Sequence, residues 1–248
     1  RFPALAEDLK ALSRRVFCRA RVTISVTAGN ESSAGATAQM MSDRLPEGNF
    51  LLPRTASIPP WKSRREGIVI PSGVSYAVLG GVFPEAGRGT AKVMGRTVSL
   101  AHLWNTVRVQ GGAYGTGMVL RDTGFAGFYS YRDPSAARTL DCYRASADFL
   151  RGIADMDLTG MITGTVAESD PLLTPRMKGK ISDVLYWRQI SHEDRCRVRW
   201  EMLSAAPGDL AALAGPVEEL ASRGSVCILG SRQQVDACAG WLDKIMVL

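Results

Sequence analysis

The order in which two apolar periods appear along this chain constrains its fold most. From 67 to 83, apolar residues stand at both sets of alternate positions, with Val74, Tyr76, Val78 and Val82 on one side and Ala77, Leu79 and Phe83 on the other. That pattern predicts a strand that is central or buried on both faces. A hairpin is expected over 118–131, turning at Asp122-Thr123-Gly124. Helical spacing then takes over. Ala136, Leu140, Tyr143, Ala147 and Leu150 form one apolar stripe, opposite Arg138, Asp141, Asp148 and Arg151. Asp133 and Pro134 are expected to supply its N-cap and first-turn proline. Further helices are expected at 158–168, 177–189, 192–203 and 209–223, then a strand at 225–230 and a terminal helix at 233–246. Strands clustered early, helices clustered late and one late strand indicate an α+β fold rather than a regular doubly wound sheet.

The first part of the chain reads differently. Leu5, Leu9 and Leu12 predict a helix over 5–15, followed by a strand at 21–27, a small-residue loop at 29–35 and a short helix at 36–45. Pro46, Pro53, Pro59 and Pro60 mark an extended connection. The chain begins at Arg1 and shows no signal- or transit-peptide pattern, as expected of a piece of something larger. Its 248 residues, 46% hydrophobic, suffice for a real core. Its longest apolar stretch, 73–83, is too short to span a bilayer, so no membrane role is expected.

The residues that point to chemistry lie at 108–117, R-V-Q-G-G-A-Y-G-T-G. Upstream, Val93, Thr97, Leu100, Trp104 and Val107 recur at helical spacing and predict a helix over 90–109 with that face buried. Gly111 and Gly112 end it, since glycine accepts positive φ without a Cβ clash. Arg108 then sits in the last turn and Tyr114 just beyond the cap, where the chain reverses. Two readings stay open on spacing alone. The cation and the phenol converge on a ligand, or Arg108 merely suits the helix dipole and Tyr114 merely opens a strand.

This block, with F-A-G-F-Y-S-Y-R-D-P at 125–134, T-L-D-C-Y-R-A-S-A-D-F-L at 139–150, E-G-I-V-I-P-S-G-V-S-Y at 66–76 and the C-terminal S-V-C-I-L-G-S, resembles the last domain of presequence-protease-type peptidases. These belong to the insulinase and pitrilysin superfamily of inverted-motif zinc metallopeptidases. The resemblance implies a largely antiparallel sheet covered by helices on one face. It implies closing elements of a preceding domain at 1–48, a connector at 49–66 and the terminal domain at 67–248. It also implies that Arg108 and Tyr114 contact peptide substrate and its developing oxyanion, with Gly111 and Gly112 supporting their geometry. Zinc would be held by an N-terminal catalytic half of the same polypeptide, and the substrates would be short unstructured peptides.

The zinc motif of that family, H-x-x-E-H, is not in this chain, whose two histidines are His102 and His192. In H-E-D-R-C at 192–196, Cys196 stands where a zincin would need its second histidine, and the segment reads better as a helix start with Ser191 as N-cap and Glu193 and Asp194 in the first turn. No metal is therefore expected on this chain, which by itself should be inactive. Five cysteines without a C-x-x-C pair indicate buried thiols in a reducing intracellular compartment, the cytoplasm ahead of an organelle matrix. Net charge is +6, but the arginines are dispersed at 14–21, 64–65 and 195–199, which argues against nucleic acid. Two alternatives stand beside the peptidase reading: a non-catalytic chamber half or partner subunit of the same superfamily, and a basic binding module.

Overall fold

The computed structural model describes residues 2–48 and 62–248. In chain order the elements are α1 (Phe2–Val16), α2 (Glu31–Asp43), β1 (Arg65–Val69), β2 (Ser75–Val82), α3 (Gly89–Thr97), a π-helical segment (Val98–Val109), β3 (Gly115–Arg121), β4 (Phe125–Asp133), α4 (Ala136–Arg151) and α5 (Thr159–Ser169). There follow α6 (Pro175–Trp187), α7 (His192–Leu203), α8 (Pro207–Ala211), α9 (Ala214–Arg223), β5 (Ser225–Gly230), α10 (Arg232–Ala237) and β6 (Lys244–Val247). Two compact units result: residues 1–60 with 172–191, and 61–171 with 192–248.

In the first unit the expected loop at 29–35 is helical. Asn30 accepts a hydrogen bond from the Ser33 N–H at 2.8 Å, so α2 starts at Glu31, and this cap decides the matter over the small-residue composition. The strand expected at 21–27 is replaced by a stretch without regular structure over 22–28, because β-branched composition forms no strand without a ladder partner. Most of the proline-marked connector, 49–61, lies outside the described residues.

The second unit is built on a six-stranded sheet of order β3-β4-β2-β5-β1-β6. Neighbouring strands are antiparallel except β1, which runs parallel to both β5 and β6. This is the expected α+β, largely antiparallel architecture. The expected 67–83 strand is two strands, β1 and β2, split by the Pro71–Gly73 stretch. β2 is central, yet only one of its faces is covered. Ala77 and Leu79 are fully buried beneath α4 and α9, while Tyr76 is 38% and Val78 43% exposed. On that open face, glycines receive the aromatic rings of the neighbouring strand: a Cβ on Gly115 would lie 2.2 Å from the Tyr131 ring and one on Gly117 3.0 Å from the Tyr129 hydroxyl.

The α4 stripe is as expected, with Ala136, Leu140, Tyr143, Ala147 and Leu150 all buried. Its start is not. Asp133 ends β4 instead of capping α4. Its carboxylate accepts from the Ser135 N–H at 2.8 Å and the Ser130 hydroxyl at 2.7 Å, and the helix begins at Ala136 after Ser135. Tyr143 stacks on Phe128 at 5.0 Å and donates to the Ala77 carbonyl; burial pushes its phenol well above the ordinary tyrosine range.

Two C-terminal expectations change. The helix expected at 209–223 is two pieces, α8 and α9, and the expected terminal helix ends at Ala237. Its apolar tail becomes β6, because β1 offers an open parallel edge at Glu66–Val69. The thiols divide as well: Cys18 and Cys238 are buried, Cys142 is half-buried, and Cys196 and Cys227 are exposed. Burial, then the nearby carboxylates Asp133 and Asp141, push the Cys238 thiol up to about 11. A thiol that ionises later in the folded than in the unfolded chain loses the protein stability as pH rises, here between about 9 and 11. Cys238→Ala should abolish that part of the decline, measured by urea unfolding at pH 8 and pH 10.5. A thiol-reactive reagent at pH 8 should label Cys196 and Cys227 in the native state, and Cys18 and Cys238 only after unfolding.

Candidate functional site

The helix leading to the Arg108 turn is α-helical only to Thr97. From Val98 to Val109 the segment is a π-helix with Val98, Leu103 and Val107 buried, a spacing of five and four residues. Leu100 and Trp104, expected on the buried face, are 41% and 40% exposed. The wider i→i+5 turn rotates the face away from a 3.6-residue period. Polar side chains along the segment offer competing donors to its carbonyls: Ser99 to Gly95, Asn105 to Ala101 and Thr106 to His102.

The turn itself is closed by backbone hydrogen bonds. Gln110 N–H donates to Asn105 at 3.0 Å, Gly112 N–H to Arg108 at 2.9 Å and Ala113 N–H to Val107 at 3.2 Å. Gly112 has φ +80°, the left-handed conformation that glycine adopts without strain. Gly111 is required for space, since a Cβ there would lie 2.4 Å from the Val107 carbonyl oxygen and 2.7 Å from Arg138 Nη1. Arg108 and Tyr114 thus leave the chain at neighbouring points of one hydrogen-bonded reversal.

Their surroundings differ. The Arg108 guanidinium carbon lies 3.9 Å from the centre of the Trp104 ring, a cation–π contact. Tyr114 is 59% exposed, its ring tilted against Tyr131 at 5.5 Å. Its N–H donates to the Arg132 carbonyl at 3.3 Å. Arg132 is a residue that sequence reasoning missed. It has φ +49° and stands at the register shift where Ser75 pairs with Asp133 and Tyr76 with Tyr131. This bulge brings its guanidinium carbon to 5.6 Å from the Tyr114 ring. Nothing in Y-R-D-P announces a left-handed arginine, since the conformation is imposed by pairing with β2.

Neither histidine sits in a metal-binding arrangement. His102 bonds the Cys142 carbonyl at 2.9 Å through Nε2 and stacks on Phe149. His192 meets Cys196 at 3.4 Å and Arg195 at 3.3 Å on the first turn of α7. Among the described residues no group of three or more His, Cys, Asp or Glu could hold a metal ion, so these residues do not fit a zinc centre. Nearby, Arg197 pairs with Asp194 and Arg199 with Asp170, both at 2.7 Å.

An open, helix-backed mixed sheet matches the terminal domains of insulinase-like peptidases. Two solved structures share the fold: pitrilysin, with a TM-score of 0.60 at 13% identity over 88% of this chain and 25% of that one, and a peptidase M16 inactive domain from Pseudomonas fluorescens, with a TM-score of 0.60 at 13% identity over 90% and 57%. Residues 65–232 match the PreP C-terminal domain family, and the chain belongs to it. It is 31% identical to presequence protease 1, chloroplastic/mitochondrial, of Arabidopsis thaliana, over 94% of this chain and 22% of that protein. It is 28% identical to protein HypA of Clostridium perfringens over 69% of this chain and 18% of that protein. The chain thus spans about a fifth of the length of these relatives. Among the described residues no helix is long and apolar enough to cross a membrane.

Proposed function

We propose that this chain is the substrate-closing C-terminal part of a zinc-dependent endopeptidase acting on short unstructured peptides. The observation that carries the reading is the reversal at 108–114, which displays a guanidinium and an exposed phenol at neighbouring points of one turn, each resting on an aromatic ring. A guanidinium and a phenol both donate hydrogen bonds and suit a carbonyl oxygen that gains negative charge. Arg108 and Tyr114 would bind that oxygen, and Gly111 and Gly112 would hold the backbone that places them. Zinc would belong to an N-terminal catalytic half of the same polypeptide, the partner that the relatives' greater length leaves room for. Residues 1–48 would close the domain before this one, 49–66 would connect, and 67–248 would form the terminal domain.

A reducing compartment suits five free thiols. The Arabidopsis and Drosophila melanogaster relatives carry names that place them in mitochondria or chloroplasts, and an organelle matrix meets that condition as the cytoplasm does.

In the intact polypeptide, Arg108→Ala and Tyr114→Phe should each lower peptide turnover at least about tenfold with zinc content unchanged, measured by steady-state cleavage of a quenched fluorescent peptide and metal analysis. Wild-type turnover in both variants would defeat the assignment. It would return the chain to a non-catalytic chamber half.

A further inference from the structure

The β4 bulge changes the direction in which Arg132 leaves the sheet. Ser130 is buried, and regular alternation along β4 would send position 132 to the same covered side. Opposite the Ser75–Tyr76 step β4 carries an extra residue, so Arg132 is exposed like Tyr131 and Asp133 takes the buried place. The backbone this requires, with φ +49°, suits glycine or asparagine better than arginine. Gln189 also has a positive φ, but it lies just past the end of α6, where a left-handed residue is an ordinary helix cap. Arg132 lies within a strand, and strained positions of this kind gather at functional sites.

Its side chain reaches a group already implicated in the chemistry. The guanidinium carbon is 5.6 Å from the centre of the Tyr114 ring, within the range of a cation–π contact. The same ring meets Tyr131 at 5.5 Å, and Tyr131 in turn lies over Gly115, where a Cβ would overlap it. The adjoining carboxylate, Asp133, is engaged by Ser130 and Ser135, and among the described residues Arg132 forms no ion pair. Tyr114 is 59% exposed, so little core packing selects among its rotamers. Tyr131 and Arg132, consecutive on β4, are what its ring rests against.

We propose that Arg132 is a positioning residue for the candidate site, its guanidinium holding the Tyr114 ring in the orientation that directs the phenol to the substrate oxygen. The proposal rests on the peptidase reading of Arg108 and Tyr114. Arg132 touches no reacting atom in it, and its whole contribution passes through the phenol.

Steady-state cleavage of a quenched fluorescent peptide by the intact polypeptide tests it, with thermal melts of each variant. Arg132→Gly accepts the left-handed backbone and keeps the carbonyl to which the Tyr114 N–H donates, so its melt should match wild type. Its kcat should nevertheless fall about threefold or more, with KM changed less than about twofold. Arg132→Lys, which keeps a cation for the ring, should hold kcat within about twofold of wild type. In a Tyr114→Phe background Arg132→Gly should alter kcat by less than about twofold, because the hydroxyl it positions is gone. If Arg132→Gly melts early, Arg132→Asn, which also tolerates this backbone, makes the same comparison. Unchanged kcat in Arg132→Gly, equal losses in Arg132→Gly and Arg132→Lys, or the same loss with and without the Tyr114 hydroxyl would each overturn the proposal, while a slow Tyr114→Phe leaves the peptidase reading standing. Wild-type turnover in Tyr114→Phe would also overturn it, and the peptidase reading fails with it only if Arg108→Ala is unaffected as well.

Discussion

Gly111→Val should reduce peptide turnover of the intact polypeptide by at least about a hundredfold, more than either donor substitution alone, because it displaces both donors at once. A Cβ at this position would meet the Val107 carbonyl oxygen at 2.4 Å and the Thr106 carbonyl oxygen at 3.1 Å. These are backbone atoms in the last turn before the reversal and cannot swing aside as a flexible side chain would. Relief requires opening the bonds from Gly112 to Arg108 and from Ala113 to Val107 that close the reversal between Arg108 and Tyr114. Gly215→Ala is the matching control, since an added Cβ there meets nothing within 4 Å and the change should leave turnover intact. Full activity in Gly111→Val would show that the turn does not place the reacting groups.

The largest loss of stability is expected from Phe128→Ala. Phe128 is fully buried at the centre of β4 and stacks on Tyr143 at 5.0 Å and 15°, joining the sheet to α4. Truncating a buried phenylalanine costs about 3–5 kcal/mol, including the cavity left behind. At about 2–4 °C per kcal/mol for a unit of this size, the melting temperature should fall by roughly 6–20 °C. Phe128→Leu, which keeps much of the volume, should cost under about 1.5 kcal/mol. Urea unfolding with an unchanged m-value separates this from a changed unfolded state. A loss below about 1 kcal/mol in Phe128→Ala would mean that the stack does not anchor α4.

Much of the α4 side of the core was legible in the sequence because its signal is local. The stripe from Ala136 to Leu150 repeats at helical spacing, and all five residues are buried. The β3–β4 hairpin was legible through Asp122-Thr123-Gly124, where Gly124 takes φ +83°. The Arg108–Tyr114 block was legible from its paired glycines, and the space beneath Gly111 and the positive φ of Gly112 supply the physical grounds. The π-helical segment was not. Leu100 and Trp104 fit a 3.6-residue period, and only the i→i+5 geometry moves them outward. The Ser99, Asn105 and Thr106 side chains that accompany this geometry were visible, but polar residues in a helix do not by themselves specify a wider turn.

Alternation along β2 showed apolar residues on both sides without showing that one side stays open. Exposure of Tyr76 and Val78 depends on what the rest of the fold brings to that face. The same holds for the last residues, where a helical period at 233–246 loses to the free edge of β1, and for Arg132, whose left-handed backbone exists only because β2 and β4 slip by one residue against each other. By itself the sequence determined the class of fold, the buried face of α4 and the glycine-closed turn, because periodicity and backbone sterics act over a few residues. Tertiary structure alone decided which sheet face is covered and where Arg132 stands, because each depends on contacts between residues far apart in the chain.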